Sequence, residues 1–156
     1  MGYGDEDEAG LTVLDRLLLQ PAQVDEMGLP GDPLLTSITR DLQVLMNSRR
    51  SDEPIPDEYP EVANSILNFG MSALGRYGDI GLAAEQSRLC RSMEDAVRMF
   101  EPRLRQAQVR VLKQDPQHKT MVRFLLEASV EGLGMRRIFE MRLKPETGEM
   151  TVAAGA

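Results

Sequence analysis

The spacing of the apolar residues changes at Pro102, and this change limits the folds open to the chain. Before Pro102, apolar residues recur every three or four positions, as in helices with one buried face. After it, they alternate with polar residues, as in half-buried strands. Helices followed by an antiparallel meander are typical of the α+β class. We therefore predict N-terminal helices followed by a C-terminal antiparallel β-meander that packs on them.

Two helices are predicted in the first third of the chain. The first runs from Thr12 to Gln20. The second starts at Asp32, a capping residue followed by proline, and Arg49 and Arg50 close it with the charge sign that the helix dipole favours. Its predicted buried face consists of Leu34, Leu35, Ile38, Leu42, Leu45 and Met46.

Two further helices follow residues 51–60, whose three prolines predict an extended loop. The third helix runs from about Glu61 to Phe69, with Gly70 as its stop. Its predicted inward side chains are Val62, Ile66 and Leu67. The fourth helix begins after Ser87 as N-cap and ends before Pro102. Its predicted buried face consists of Leu89, Cys90, Met93, Ala96, Val97 and Phe100.

Alternation predicts four strands in the last third of the chain. Apolar and polar residues alternate in residues 106–111, 122–130 and 139–143, and again at Met150 and Val152. The Pro-Glu-Thr-Gly sequence before Met150 predicts a turn between the last two strands.

The negative charge of the chain is concentrated at its N-terminus. The formal net charge is −7, but residues 1–35 contain eight acids and one base, which leaves 17 acids and 17 bases in residues 36–156. A neutral body offers no net attraction to a phosphate backbone. We therefore expect no nucleic acid partner.

Composition also predicts the domain organisation. Residues 1–10 are expected to form a disordered acidic tail, residues 11–31 a short helix and connector, and residues 32–156 a single α+β domain. The acidic start is unlike a signal peptide, and no apolar run approaches the roughly 20 residues that span a bilayer. One cysteine excludes an internal disulfide. We predict a cytoplasmic protein without direct membrane insertion.

Few residues favour catalysis. His118 is the one histidine and lies in a predicted turn, while Cys90 lies on a predicted apolar helix face. Neither has a second cysteine or histidine nearby to complete a metal site. The acids lie mostly in the tail, the loop or solvent-facing positions, which does not favour a converging carboxylate pair. We predict no enzyme activity, no cofactor and no metal.

Glu101 follows a helix, at the end where the backbone dipole disfavours an anion. Arg103 lies two residues further on, after Pro102. An intramolecular salt bridge and a contact with a partner protein both account for these charges. The salt bridge predicts a large loss of melting temperature on alanine substitution, whereas the interface predicts a largely intact fold. Arg49 and Arg50 likewise either cap a helix or contact an acidic partner surface.

Four motifs in order resemble those of one family. They are Val13-Leu14-Asp15-Arg16-Leu17, Ser37-Ile38-Thr39-Arg40-Asp41-Leu42 with Asn47-Ser48-Arg49-Arg50, Ser65-Ile66-Leu67-Asn68-Phe69-Gly70, and Phe100-Glu101-Pro102-Arg103-Leu104. With these motifs the chain resembles TssE, the baseplate wedge subunit family of bacterial type VI secretion systems, which is related to the lysozyme-like wedge protein of contractile phage tails. Ser48 and Phe69 depart from the family's usual Thr and Tyr, and residues 71–81 lack its common Leu-Pro-Asp.

The resemblance implies a structural role in a membrane-docked baseplate. Members of the family join the wedge subunits TssF and TssG, with TssK nearby, and offer a sheet on which the contractile sheath of TssB and TssC is first assembled. It also implies that Glu101, Pro102 and Arg103 contact the wedge partners. The alternatives are a soluble regulatory adaptor or anti-adaptor of the same general fold, or a muramidase.

Overall fold

The structure, a computed structural model, describes residues 13–14, 33–51, 53–63, 65–72, 83–112, 121–131 and 133–155. Val13 and Leu14, in the predicted first helix, are helical and exposed. The rest of that helix, the acidic tail, the connector and His118 lie outside the described residues, so the predictions about them stay predictions.

Helix α1 spans Pro33–Asn47 and buries one face. The predicted stripe is confirmed, except that Leu35 is only partly buried and Ser37 joins the buried set. The helix ends at Asn47 and has no basic residue in its last turn. The prediction that Arg49 and Arg50 close this helix is therefore wrong, because both lie beyond its end.

The third predicted helix is replaced by two short pieces. Helix α2 spans Pro60–Ala63, and a 3₁₀-helix spans Ile66–Asn68. Ser65 separates them with an extended backbone, and its side chain accepts a hydrogen bond from the Leu67 N–H. Two of the predicted inward positions are wrong, since Ile66 is 85% and Leu67 63% exposed, whereas Val62 is partly buried. Pieces this short cannot present a buried stripe to the core.

Helix α3 spans Ala83–Phe100 and buries Leu89, Cys90, Met93, Ala96 and Val97, as predicted. Its start is four residues earlier than the predicted cap at Ser87. The intervening Ala-Ala-Glu-Gln sequence has high helix propensity, which extends the helix past that serine. Phe100 is partly buried and packs edge to face on Phe69, with ring centroids 5.2 Å apart.

The four predicted strands form one antiparallel sheet, which confirms the meander and the α+β class. They are β1 (Leu104–Val111), β2 (Val122–Val130), β3 (Arg136–Lys144) and β4 (Glu149–Ala154), in the order β1-β2-β3-β4. A bulge at Gln106, which has a φ of 53°, shifts the register between β1 and β2. One face of the sheet joins the buried faces of α1 and α3 in a single apolar core.

Helix α1 closes the outer edge of β4 with two side-chain amides. Gln43 Nε2 donates to the Met150 carbonyl at 2.6 Å, and Gln43 Oε1 accepts from the Val152 N–H at 2.7 Å. Asn47 Nδ2 donates to the same Met150 carbonyl at 2.7 Å, and Asn47 Oδ1 accepts from the Met150 N–H at 2.9 Å. A fifth strand pairing with β4 would need these same backbone groups for its hydrogen bonds.

Replacing Gln43 and Asn47 together by alanine is expected to lower the free energy of unfolding by about 2–4 kcal/mol, because four hydrogen bonds are lost. The uncovered edge should also promote self-association at high protein concentration. Urea denaturation and sedimentation velocity measure the two effects. Val44→Ala is the matched control, since Val44 is on the same helix and 53% exposed. Equal behaviour of the two variants would contradict this closure of the edge.

Candidate functional site: the junction of helix α3 and strand β1

The junction between α3 and β1 is a tight turn at Glu101. The Glu101 N–H still donates to the Val97 carbonyl at 2.9 Å, while the Glu101 carbonyl accepts from the Leu104 N–H at 3.0 Å. Pro102 between them has no N–H to continue the helix, and its ring fixes φ. The chain therefore passes from α3 into β1 within three residues, and the side chains of Glu101 and Arg103 are brought together.

Glu101 and Arg103 form a two-pronged salt bridge inside the protein. Arg103 Nε donates to Glu101 Oε1 at 2.7 Å, and Arg103 Nη2 donates to Glu101 Oε2 at 2.6 Å. The Glu101 side chain is 4% exposed and that of Arg103 13% exposed. The intramolecular salt bridge, one of the two sequence-based interpretations, is thus present in the structure. The interface interpretation stays a prediction.

Helix α1 completes the network around Arg103. Arg103 Nη2 donates to Asp41 Oδ2 at 2.6 Å, and Arg103 Nη1 donates to Ser37 Oγ at 2.9 Å. Arg40 donates through Nε and Nη2 to Asp41 Oδ1, at 3.1 and 2.9 Å. We call Ser37, Arg40, Asp41, Glu101 and Arg103 the junction network. It joins α1, the end of α3 and the start of β1.

The junction network explains how an anion is tolerated at the end of α3. Burial and the helix dipole both disfavour the Glu101 carboxylate, and the paired guanidinium offsets both. The hydrogen bonds to Glu101, and then Asp41, raise the pKa of Arg103 above its usual value despite burial. The guanidinium therefore stays charged, and each carboxylate in contact with it retains its cation.

Sequence reasoning missed Ser37, Arg40 and Asp41 as members of the site. Ser37 and Asp41 are one helical turn apart and lie 66 and 62 residues before Arg103. A serine on an otherwise apolar helix face was the available signal, because a buried hydroxyl needs a partner. The identity of that partner depends on tertiary packing.

Arg49 and Arg50 lie just beyond the C-terminal end of α1, on a segment held by backbone contacts. Arg49 pairs with Met71 in a parallel bridge, the Met71 N–H donates to the Ser48 carbonyl at 2.8 Å, and the Arg50 N–H donates to the Met71 carbonyl at 3.1 Å. Both arginines are exposed. Among the described residues, neither belongs to the junction network.

A cleft of about 570 Å³ lies between the Arg50 segment and α3. Arg50 and Arg91 line it, and so does Phe100, the residue before Glu101. Arg50 Nη1 makes a long hydrogen bond of 3.4 Å to Asn68 Oδ1. Three arginines, Arg50, Arg88 and Arg91, and one acid, Asp95, line the cleft, so cations outnumber anions there and an acidic side chain can be accepted.

Cys90 is buried on the inner face of α3. Burial, and then the charge of Glu94, raise the pKa of the Cys90 thiol, which keeps it protonated and disfavours it as a nucleophile. Within the described residues, no group of three His, Cys, Asp or Glu residues could hold a metal ion. No helix in that part of the chain is long and apolar enough to cross a membrane.

The fold and the junction network are those of a structural domain, in which buried charges join the helices to the sheet. The sequence profile of the baseplate wedge protein gp25 family matches residues 33–133, and the chain belongs to this family. No individual curated protein matches the chain. The matched range contains the junction network together with Arg49 and Arg50. A structural role in a baseplate, alongside other baseplate components, follows from this membership.

Proposed function

We propose that the protein is the TssE-type subunit of a type VI secretion baseplate. It joins the wedge subunits TssF and TssG, near TssK, and it provides the platform on which TssB and TssC begin to assemble the sheath. It acts without catalysis on the cytoplasmic side of the membrane. Residues 32–156 act as a single wedge domain, preceded by a separate short helix and acidic tail.

The observation that carries this proposal is the junction network within the family match. The Glu101-Pro102-Arg103 sequence that resembles the TssE signature makes the turn from α3 into β1, and the similar segment at residues 37–42 supplies its α1 partners. Two motifs far apart in sequence therefore meet at one place in the fold. Two segments that resembled the family only by chance would not be expected to lie together in the fold.

The proposed wedge contacts use Pro102, Arg103, Arg49 and Arg50, with Glu101 in support. Pro102, Arg49 and Arg50 are exposed, and the Arg103 side chain retains 13% exposure. The buried Glu101 holds Arg103 in place, which leaves the exposed groups to meet the partner. Cations on a fixed segment favour an acidic partner surface and a defined docking register.

The proposed sheath contact uses the sheet. A strand from a sheath subunit that pairs with an open edge gains a row of main-chain hydrogen bonds, and pockets for its alternate side chains set the register. Such contacts are directional and do not depend on a large apolar area. They therefore suit a platform that must hold a sheath and later allow it to rearrange.

Affinity purification from the native cell tests the proposal. The tagged wild-type protein should recover wedge and sheath subunits by mass spectrometry, and an Arg49→Ala, Arg50→Ala variant should lose the wedge subunits at unchanged melting temperature. Arg136→Ala with Arg142→Ala is the matched control, since it also removes two exposed arginines but from the sheet. The control should keep both sets of subunits.

Other outcomes identify the alternatives. Recovery of a response-regulator adaptor in place of baseplate subunits would indicate an anti-adaptor. Degradation of cell wall by the purified protein would indicate a muramidase. Recovery of no baseplate subunit by the wild-type protein would overturn the proposal.

A further inference from the structure

We infer that the cleft between the Arg50 segment and α3 is the docking site for this chain's own N-terminal segment, residues 5–14. Docked there, the segment covers Arg50 and keeps it from an acidic partner until that partner displaces the segment. The docking follows from the residues of this chain, whereas the identity of the displacing partner, the TssF and TssG subunits, rests on the proposed function.

The cleft carries positive charge that the described residues do not neutralise. Arg50 and Arg91 line it and are exposed, and neither has a carboxylate partner in the described part of the chain. Arg50 Nη1 donates to Asn68 Oδ1 at 3.4 Å, and Arg91 Nε donates to the Ser87 carbonyl at 3.3 Å. Both acceptors are neutral, so the two guanidinium groups can still pair with carboxylates.

The other charged residues of the cleft do not change this balance. Arg88 pairs with Glu85 at 2.9 Å, and Asp95 pairs with Arg98 at 3.1 Å. Each pair lies along α3 and is neutral as a unit. The positive charge of the cleft therefore remains at Arg50 and Arg91.

Two serines add a hydroxyl donor to the cleft lining. Ser72 and Ser92 both line the cleft and are partly buried, with their Oγ atoms 3.2 Å apart. A hydrogen bond between two hydroxyls uses one of their two hydrogens, so the second is left for an acceptor. A carboxylate accepts from hydroxyl and guanidinium groups alike, which makes acidic side chains the groups that fit this lining.

Exposed apolar side chains adjoin the cationic groups. Met99 lines the cleft and is 41% exposed. Asn68 Nδ2 lies 3.4 Å from the Met99 sulfur, and the exposed Ile66 and Leu67 directly precede Asn68. Adjacent apolar surface of this kind marks a docking site. The segment that fits the whole surface combines consecutive acids with apolar residues close to them in sequence.

Residues 5–14 have this composition. Asp5-Glu6-Asp7-Glu8 is a run of four acids, and Val13 and Leu14 follow after a short interval. Val13 and Leu14 are helical, and their side chains are 75% and 56% exposed. The acids can pair with the cleft arginines while the two apolar side chains cover the neighbouring apolar surface.

The chain is long enough for the docking. Helix α1 has 15 residues, so about 22 Å separate Pro33 from the far end of the helix, next to the Arg50 segment. Residues 15–32 can extend to about 60 Å. Tethering also raises the local concentration of the segment, so individually weak contacts suffice. The acids Glu53, Asp57 and Glu58 are closer to Arg50 in sequence but do not line the cleft.

A nitroxide spin label on Gly2→Cys, attached in the full chain, tests the docking by NMR. Cys90 is buried and stays unlabelled. The label should broaden the amide signals of Asn68 and Ser92 in the cleft, and spare that of Ile138, which faces away from the core on β3. Salt at about 0.5 M should weaken the broadening, because it screens exposed charges.

Matched substitutions on the two sides of the contact identify the groups responsible. Converting the four acids of residues 5–8 to their amides should abolish the broadening, and so should Arg50→Gln with Arg91→Gln. Asp57→Asn with Glu58→Gln, which removes two exposed acids outside the cleft, should leave it unchanged. The substituted arginines and loop acids are exposed, so the melting temperature should stay close to that of the wild type.

Binding to purified TssF and TssG tests the competition. The variant with amides at residues 5–8 should bind about two- to fivefold more tightly than the wild type, because the docked segment no longer occupies Arg50. Equal affinities, with the broadening present in the wild type, would refute the competition. Failure of both proteins to bind TssF and TssG would refute the proposed wedge contact and leave the docking in place.

Three NMR results would overturn the docking itself. One is an absence of broadening at Asn68 and Ser92, and another is broadening that survives the loss of Arg50 and Arg91. The third comes from a mixture of spin-labelled protein with isotope-labelled protein that carries no spin label. Broadening in that mixture would mean that the segment binds a second copy of the chain.

Discussion

Replacing Arg103 by alanine will lower the free energy of unfolding by about 3–5 kcal/mol, because the substitution leaves Glu101 buried without its cation. For a chain of this size the loss corresponds to a fall in melting temperature of about 6–20 °C. Ser37 also loses its donor from Arg103. Thermal and urea unfolding of the purified protein measure the effect, and a largely intact fold is the outcome that the interface interpretation predicts instead.

Arg105→Ala is the matched control for this prediction. Arg105 follows two residues later on β1 and forms a salt bridge with Glu131, but those side chains are 63% and 59% exposed. Exposed pairs contribute about 0–1 kcal/mol, so the control should melt close to wild type. If Arg103→Ala destabilised the protein no more than Arg105→Ala does, the junction network would not hold the fold together.

A paired replacement separates the structural role from partner binding. Glu101→Leu with Arg103→Met removes both charges and keeps apolar volume, and such exchanges of a buried ion pair are often neutral for stability. Asp41 is 32% exposed, so it can be solvated when the guanidinium is gone. A stable double variant that loses TssF and TssG would support the proposed contact, and one that keeps them would refute it.

Gly70→Ala is expected to cost about 3 kcal/mol or more, because it combines backbone strain with a steric clash. Gly70 has a φ of +110°, and a Cβ there would lie 2.5 Å from the Ser48 carbonyl oxygen and 2.6 Å from its carbon. Both atoms are backbone and cannot rotate away. The clash would separate Ser48 from Met71, whose bond positions Arg49 and Arg50.

Gly134→Ala is the control for Gly70→Ala. Gly134 also has a positive φ, of +60°, but no atom lies within 4 Å of its would-be Cβ. Only the left-handed conformation is penalised there, at about 1–2 kcal/mol. Urea denaturation of both variants measures the difference, and equal losses would contradict the close approach at Ser48.

The elements with long regular patterns were predictable from the sequence. Every second residue of β2 is buried, and α1 and α3 bury the faces that their apolar spacing indicates. These predictions succeed because the period of a strand or a helix is a local property. The prediction of one helix around Ser65 failed because a few residues carry no clear period. A single side-chain hydrogen bond can also end a helix there.

The candidate site was only partly predictable. Glu101 and Arg103 could be recognised from the conflict of an anion with a helix dipole, but their burial and their bonds to Ser37 and Asp41 depend on the packing of α1. The amide contacts on β4 join residues more than 100 positions apart. No local pattern specifies which helix lies beside which edge.

The amides of Gln43 and Asn47 also fix where the sheet ends on the β4 side. A side-chain amide presents one donor and one acceptor, as a peptide group does, so α1 stands where another strand would begin. Along Met150 and Val152, a further strand could pair only by displacing these amides. On this side the protein therefore terminates its own sheet, which disfavours the edge-to-edge association that an open strand invites.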